Sequence, residues 1–213
     1  MPFKMPQKIE SDRIVLVRPL PPTFKLAKEI FEKVDLSRQT MRDWLPWVDG
    51  TKKPEDEFSG WLVGWAKKHW DDGVGFAYLI RDKKTKALLG AIDLMDYNEK
   101  HKSAEIGYWL SDDAVGHGYM SEAVQVLEAE GFRQGLNRII IHVDSKNMRS
   151  DNVPKRAGYH LDGVMRGANW DNRWQSFRDI KVWSKLKADW LIEQKNRAIL
   201  KSPCNLRKNV YNR

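Results

Sequence analysis

Hydrophobic positions along the 213-residue chain change their spacing repeatedly, and each change marks an element. Residues 13–18 form a β-branched run that stops at Pro19, which predicts a strand. Pro21 and Pro22 open a predicted helix to about Val34, with Phe24, Ala27, Phe31 and Val34 at helical spacing. A second helix is predicted after Pro54. Glu55, Asp56 and Glu57 occupy its first turn, Phe58, Trp61, Leu62, Trp65 and Ala66 form its apolar face, and Asp72-Gly73 ends it. Three strand-like segments follow at 75–81, 87–97 and 103–110, joined by polar connectors of hairpin length.

The spacing returns to helical over 119–134, then becomes a nearly continuous apolar strand at 138–143, centred on Ile139, Ile140 and Ile141. A short helix at 151–157, strands at 159–166 and 175–186, and a terminal helix at 188–200 complete the pattern, with fraying expected beyond Pro203. Early helices, a strand meander and then β-α-β-α-β-β predict an α+β fold with a mixed sheet, not an alternating doubly wound one. Trp61 and Trp65, four apart, are assigned to the core, whereas Trp44 and Trp47 lie in a turn around Pro46.

Composition narrows this picture. With 41% hydrophobic and 31% charged residues, the chain is neither low-complexity nor disordered. Cys204 is its only cysteine, so there is no disulfide framework, and the expected setting is a reducing, cytoplasmic one. No run approaches the length of a membrane span, so no membrane partner is expected. Of the net charge of +8, residues 185–213 carry +6, from eight basic and two acidic side chains. The basicity belongs to a tail. It permits a weak RNA contact there but does not make nucleic acid the principal ligand.

The candidate chemistry lies in 104–123, AEIGYWLSDDAVGHGYMSEA. This is a strand, a loop containing Gly116 and Gly118, and a helix start, a combination whose free amides favour an anion such as pyrophosphate. Spacing alone leaves open a loop that merely turns the chain. GxxxxGK[ST] is absent, GxGxxG fails at Ser121, and neither a GxSxG elbow nor an HExxH zinc pattern occurs.

The same stretch resembles the acetyl-CoA-binding motif of the GNAT acetyltransferase superfamily, and its AEIGYWL and GxGY-x-[ST]-EA runs resemble the RimJ/RimL-type ribosomal-protein N-terminal acetyltransferases. Thr40 to Trp47 (TMRDWLPW) and Asn147 to Tyr159, with its N-x-x-S…V…GF-like order, extend the likeness from Arg13 to Trp190. The resemblance implies a GNAT-like domain at 8–190, with a mostly antiparallel sheet flanked by helices and a basic tail at 191–213. It implies acetyl-CoA as co-substrate without a metal, and a primary amine as acceptor. The preferred acceptor is the N-terminus of a protein, ribosomal or other. A small amine (polyamine, amino sugar or aminoacyl antibiotic), or a non-catalytic CoA-binding or RNA-associated module, is the alternative. A homodimer is left open.

By the same resemblance, the backbone of Tyr108, Trp109 and Leu110 orients the pantetheine arm. Val115, Gly116, His117, Gly118, Tyr119, Met120 and Ser121 hold the pyrophosphate, and Asn147 contacts pantetheine or forms a turn. Val115 and Met120 depart from the superfamily's [QR]-x-x-G-x-[GA] loop. Asn169 stands where some relatives carry a glutamate base. Glu105 is the preferred proton acceptor, against a merely paired strand carboxylate. Ser150 is the thiolate's proton donor, against a plain helix cap. Trp44, Trp47 and Asn169 are assigned to the acceptor groove. The imidazole side chains of His117 and His142 receive no role, and Tyr159 is assigned to the core. No second well-placed carboxylate is apparent. That favours an α-amine, about a tenth neutral at pH 7, over lysine, whose deprotonation there costs about 4–5 kcal/mol.

Overall fold

The structure is a computed structural model that describes residues 3–171 and 173–201. Eight strands form one sheet in the order β1-β2-β3-β4-β5-β6-β8-β7. They are β1 (Lys8–Glu10), β2 (Ile14–Val17), β3 (Phe76–Asp82), β4 (Leu88–Asn98), β5 (Ser103–Leu110), β6 (Arg138–Asp144), β7 (His160–Asp171) and β8 (Ser176–Leu186). All neighbours are antiparallel except β5 and β6, which are parallel and joined through helix α5 (Tyr119–Arg133). The α+β fold class expected from the element order is the one observed.

Alternation along the strands sends apolar side chains to two separate cores. On one face, Leu16, Tyr78, Ile80, Ile92, Leu94, Ile106, Ile139 and Ile141 pack against Ala123, Val124 and Leu127 of α5. On the other, Leu79, Leu88 and Ala91 pack against Ala27, Ile30 and Val34 of α1 (Phe24–Leu36), together with Val48 and Leu62. α1 starts where Thr23 Oγ1 accepts the Leu26 amide at 3.2 Å, an N-cap that halts the chain's extended entry. After α1 come α2 (Arg38–Met41) and a 3-10 turn at Pro46–Asp49.

The helix expected after Pro54 is present but wound differently. It begins as α3 (Pro54–Asp56), continues as a π-helix over Glu57–Lys67 and ends as α4 (Lys68–Asp72), with Gly73 left-handed at φ 69°. Gly64 lies five residues after Ser59, and a Cβ there would come within 2.8 Å of the Ser59 carbonyl oxygen. The wider winding puts Trp61 above Ala66 rather than above Trp65, so only Trp61 joins the core under α1, and Trp65 stacks on His69 at 4.4 Å.

Three boundaries also differ from the sequence expectation. β1 carries one apolar residue in three and left no periodic signal. α6 (Met148–Arg156) begins before residue 151, because Asn147 rather than Ser150 is its N-cap, accepting the Ser150 amide at 3.0 Å. β7 extends beyond residue 166 through a bulge between Met165 and Asn169, where Gly167 has φ 58° and its amide donates to Asp179 at 2.7 Å. In α7 (Lys187–Lys201), Trp190 docks 5.8 Å from Phe132. Residue 191 thus lies within a helix, while the fraying expected beyond Pro203 falls outside the described residues.

Candidate active site

β5 and β6 pair through only three positions, Ser103↔Arg138, Ala104↔Ile139 and Glu105↔Ile140. β5 then continues to Leu110 bound to β4 alone, and β6 continues to Asp144 bound to β8 alone. From Ile106 onward the facing edges have no strand partner, so their amides and carbonyls line a wedge opening into the sheet. Tyr108, Trp109 and Leu110 lie on this edge, as their expected role requires.

The loop after β5 delivers the chain to α5. Gly116 and Gly118 have φ of 85° and 77°, a left-handed geometry that side chains strain, and Gly118 is the residue before the first helical turn. The amides of Tyr119, Met120 and Ser121 therefore have no intrahelical acceptor. Met120 is 6% exposed and packs into the core, so its departure from the superfamily loop changes the interior rather than the loop surface. Val115 is half-buried, and His117 is exposed and stacks on Tyr119 at 5.8 Å.

A latch that sequence reasoning missed fixes this loop. The Arg13 amide and Nε reach Glu122 Oε1 and Oε2 at 2.9 and 2.6 Å, and Arg13 NH1 donates to the His117 carbonyl at 2.8 Å. Ser11 donates to the same Glu122 at 2.6 Å. Arg13 thus brings a half-exposed guanidinium to a loop whose Val115 side chain offers no polar group. Its separation of over a hundred residues from the loop hid it.

Across the wedge, the Tyr108 hydroxyl lies 3.1 Å from Ser150 Oγ and donates to the Ser150 carbonyl at 3.2 Å. Burial pushes the Tyr108 phenol well above its ordinary range, so it stays protonated and able to donate. Ser150 sits inside the first turn of α6 rather than at its cap, and this frees its hydroxyl. Asn147 is committed through its side-chain oxygen to capping.

On the opposite face, Glu105 is bound by His142, Oε2 to Nδ1 at 2.8 Å. The carboxylate raises the His142 pKa above its ordinary value through that hydrogen bond. His142 stands two residues beyond Ile140, the residue paired with Glu105, so the parallel register brings the two together. Sequence alone shows no partner for it.

The same face holds a second carboxylate, which sequence reasoning did not single out. Asp93 is directly opposite Gly107 in the β4–β5 ladder and shares its face with Glu105 and Trp109. Its Oδ1 is buried without a hydrogen-bond partner, and burial pushes its pKa up to about 8. The signal was a lone acid inside the apolar run LLGAIDL.

Further side chains reach this face of the sheet from distant segments. Trp47 lies 6.4 Å from Trp109, and the Arg178 guanidinium lies 5.1 Å from the Trp44 ring. Arg178 is nearly buried and forms ion pairs with Asp144 at 2.7 Å and Asp171 at 2.6 Å, while Asp43 pairs with Arg173. Asn169 pairs in register with Arg178 on the same hairpin. Lys33 and Thr40 hold Asp113 and Asp112 at 2.5 and 2.7 Å, tying this helical wall to the turn that precedes the glycine loop.

A strand pair that splays at its middle, followed by a left-handed glycine loop and a helix start, is the geometry on which known families can be compared. The family described as Acetyltransferase (GNAT) domain matches residues 15–160. The chain belongs to the GNAT acetyltransferases. A ribosomal-protein-serine acetyltransferase of Escherichia coli (strain K12) is 30% identical over 113 residues, 53% of this chain and 62% of that protein. YdaF of Bacillus subtilis (strain 168), a candidate ribosomal N-acetyltransferase, is 27% identical over 177 residues, 83% and 93% of the two chains. Among solved structures, RimL with coenzyme A superimposes with a TM-score of 0.76 at 23% identity, covering 84% of this chain and 97% of that one. The microcin C7 self-immunity acetyltransferase MccE, with acetyl-CoA and AMP, gives 0.74 at 22%, covering 83% and 93%. This GNAT chain is an acetyl-CoA-dependent N-acetyltransferase. Among the described residues, no cluster of three or more His, Cys, Asp or Glu could hold a metal, and no helix is long and apolar enough to cross a membrane.

Proposed function

We propose that this GNAT enzyme acetylates the N-terminal α-amine of a protein, ribosomal proteins being the first class to test, and that it acts in the cytoplasm. The observation that carries this reading is the set of side chains gathered on the sheet face that bears Glu105: Trp47 packs beside Trp109, and Trp44 lies against Arg178 of the β7–β8 hairpin, the register partner of Asn169.

The residues fit the chemistry of the co-substrate. The first-turn amides of Tyr119, Met120 and Ser121, reached through Val115, Gly116, His117 and Gly118, suit a pyrophosphate, and Arg13 adds charge beside them. The unpaired edge at Tyr108, Trp109 and Leu110 suits an amide-bearing arm, with Asn147 bordering it from α6. Acetyl-CoA supplies the activated acetyl group. Edge amides of β5 orient and polarise its carbonyl, and Ser150, whose Oγ lies 3.1 Å from the Tyr108 hydroxyl, donates a proton to the departing sulfur. Glu105, held by His142, takes the acceptor's proton through water.

The test is acetyl-CoA consumption against a panel of N-terminal peptides and small amines, with mass mapping of the product. The expected product carries acetyl on the α-nitrogen of a peptide. Turnover confined to small amines would reject the reading.

A further inference from the structure

We propose that Asp93 is a second catalytic carboxylate, which receives the acceptor's ammonium above Gly107 and takes its first proton. The proposal rests on the reading of the sheet face that bears Glu105 and Trp109 as the acceptor side. It names the group there that meets the amine.

Four observations carry it. Asp93 and Gly107 are direct partners across β4 and β5, and Gly107 has no side chain of its own to fill the place between the carboxylate and the thioester-orienting edge. That place is covered by one movable group: a Cβ on Gly107 would lie 2.3 Å from Met95 Cε, the end of a flexible thioether. Asp93 Oδ1 is buried and has no hydrogen-bond partner in the protein, which is costly unless a ligand completes it. Glu105, by contrast, already gives an oxygen to His142 at 2.8 Å.

The surroundings are consistent with a proton acceptor matched to an α-amine. Burial alone raises Asp93, and no charged side chain contributes to the shift. Across β3 its neighbour is Ala77, across β5 the titratable groups are Glu105 and then His142, and along β4 the next is Asp96. The helical layer over this face carries buried Glu57 and half-buried His69. A carboxyl near 8 and an α-amine at roughly 7.7–8.0 exchange a proton at little cost, whereas a lysine near 10.4 keeps its own. The acceptor class is therefore one with an amine of low proton affinity.

The step balances as follows. The ammonium gives one proton to the Asp93 carboxylate and becomes the free amine. Its nitrogen forms the C–N bond to the acetyl carbon as the C–S bond breaks. The nitrogen's second proton passes through water to Glu105 while the Ser150 hydroxyl gives its proton to the sulfur; Glu105 then returns its proton through water to Ser150, and Asp93 releases its own to water.

The experiment compares wild type with Asp93→Asn, an isosteric change, on whichever acceptor the wild type uses best in the panel. The proposal expects kcat to fall about 100-fold with the acetyl-CoA KM within twofold, and the deficit to shrink above pH 8, where an α-amine is free unaided. With Asp93→Ala, added formate should restore at least a tenfold rate, which a purely structural role would not permit. An Asp93→Asn enzyme within threefold of wild-type kcat/KM from pH 6 to 10 would overturn the proposal. So would a rate loss matched by an equal loss of acetyl-CoA affinity. If the best acceptor proves to be a small amine, the N-terminal reading fails, while Asp93 is still judged on that substrate.

Discussion

The two sides of the sheet are built in opposite ways. The side proposed for the coenzyme is almost entirely backbone: a free strand edge, two left-handed glycines and the start of α5, locked by Arg13 and Glu122. The side proposed for the acceptor is almost entirely side chain, gathered from a Trp-bearing turn and a bulged hairpin. A shared ligand needs only peptide geometry, which tolerates a Val115 or a Met120. A particular acceptor needs particular side chains, and those come from segments far apart in the chain.

Damage on the two sides should accordingly differ in kind. The largest effect is expected at the hydroxyl pair that joins them. Ser150→Ala should lower kcat about 100-fold with little change in coenzyme affinity or melting temperature, because Asn147 and not Ser150 caps α6. A stopped assay and a melting curve on the one variant would check both halves. The companion change Asn147→Ala should instead cost about 1 kcal/mol of stability.

Next in size is the backbone side. Gly118→Val must hold a β-branched residue at φ 77°, and calorimetry should show coenzyme binding weakened at least tenfold, about 1.4 kcal/mol. Arg13→Ala should cost less, a fewfold loss, and that loss should shrink as salt rises, since its guanidinium is half exposed.

The smallest effect expected is on stability against pH. Asp93 and Glu57 are raised by burial to about 8 and about 7, and His142 is raised by its bond to Glu105. All three bind protons more tightly folded than unfolded. Their contribution is fully present below the unfolded pKa values and is lost as pH rises through the folded ones. Denaturant titrations should therefore show stability declining by about 1–3 kcal/mol between pH 6 and pH 9. Asp93→Asn should flatten the upper part of that decline, and an unchanged slope would count against a carboxyl buried on the acceptor side.

What the sequence made legible follows the same division. The strand meander, α5 and the glycine loop were readable because local spacing and φ-tolerant residues specify them. The Glu105–His142 and Arg13–Glu122 pairs were not, because each depends on strand register or on a hairpin folding back over 37 or 109 residues. The π-winding was hidden because Phe58, Trp61, Leu62, Trp65 and Ala66 satisfy an α-helical reading equally well. Asp93 was visible only as an oddity in an apolar run, and its meaning lies in what stands opposite it.

The early parting of β5 from β6 has a consequence beyond catalysis. Three residue pairs hold together the two halves of an eight-stranded sheet, and the edges beyond them bond to no strand. A molecule that bridges those edges acts as a missing piece of the fold. At a hundredfold excess over its dissociation constant it would stabilise the native state by about 2.7 kcal/mol. The lifetime of this enzyme in a cell would then rise and fall with the supply of acetyl-CoA, making its abundance a gauge of metabolic state.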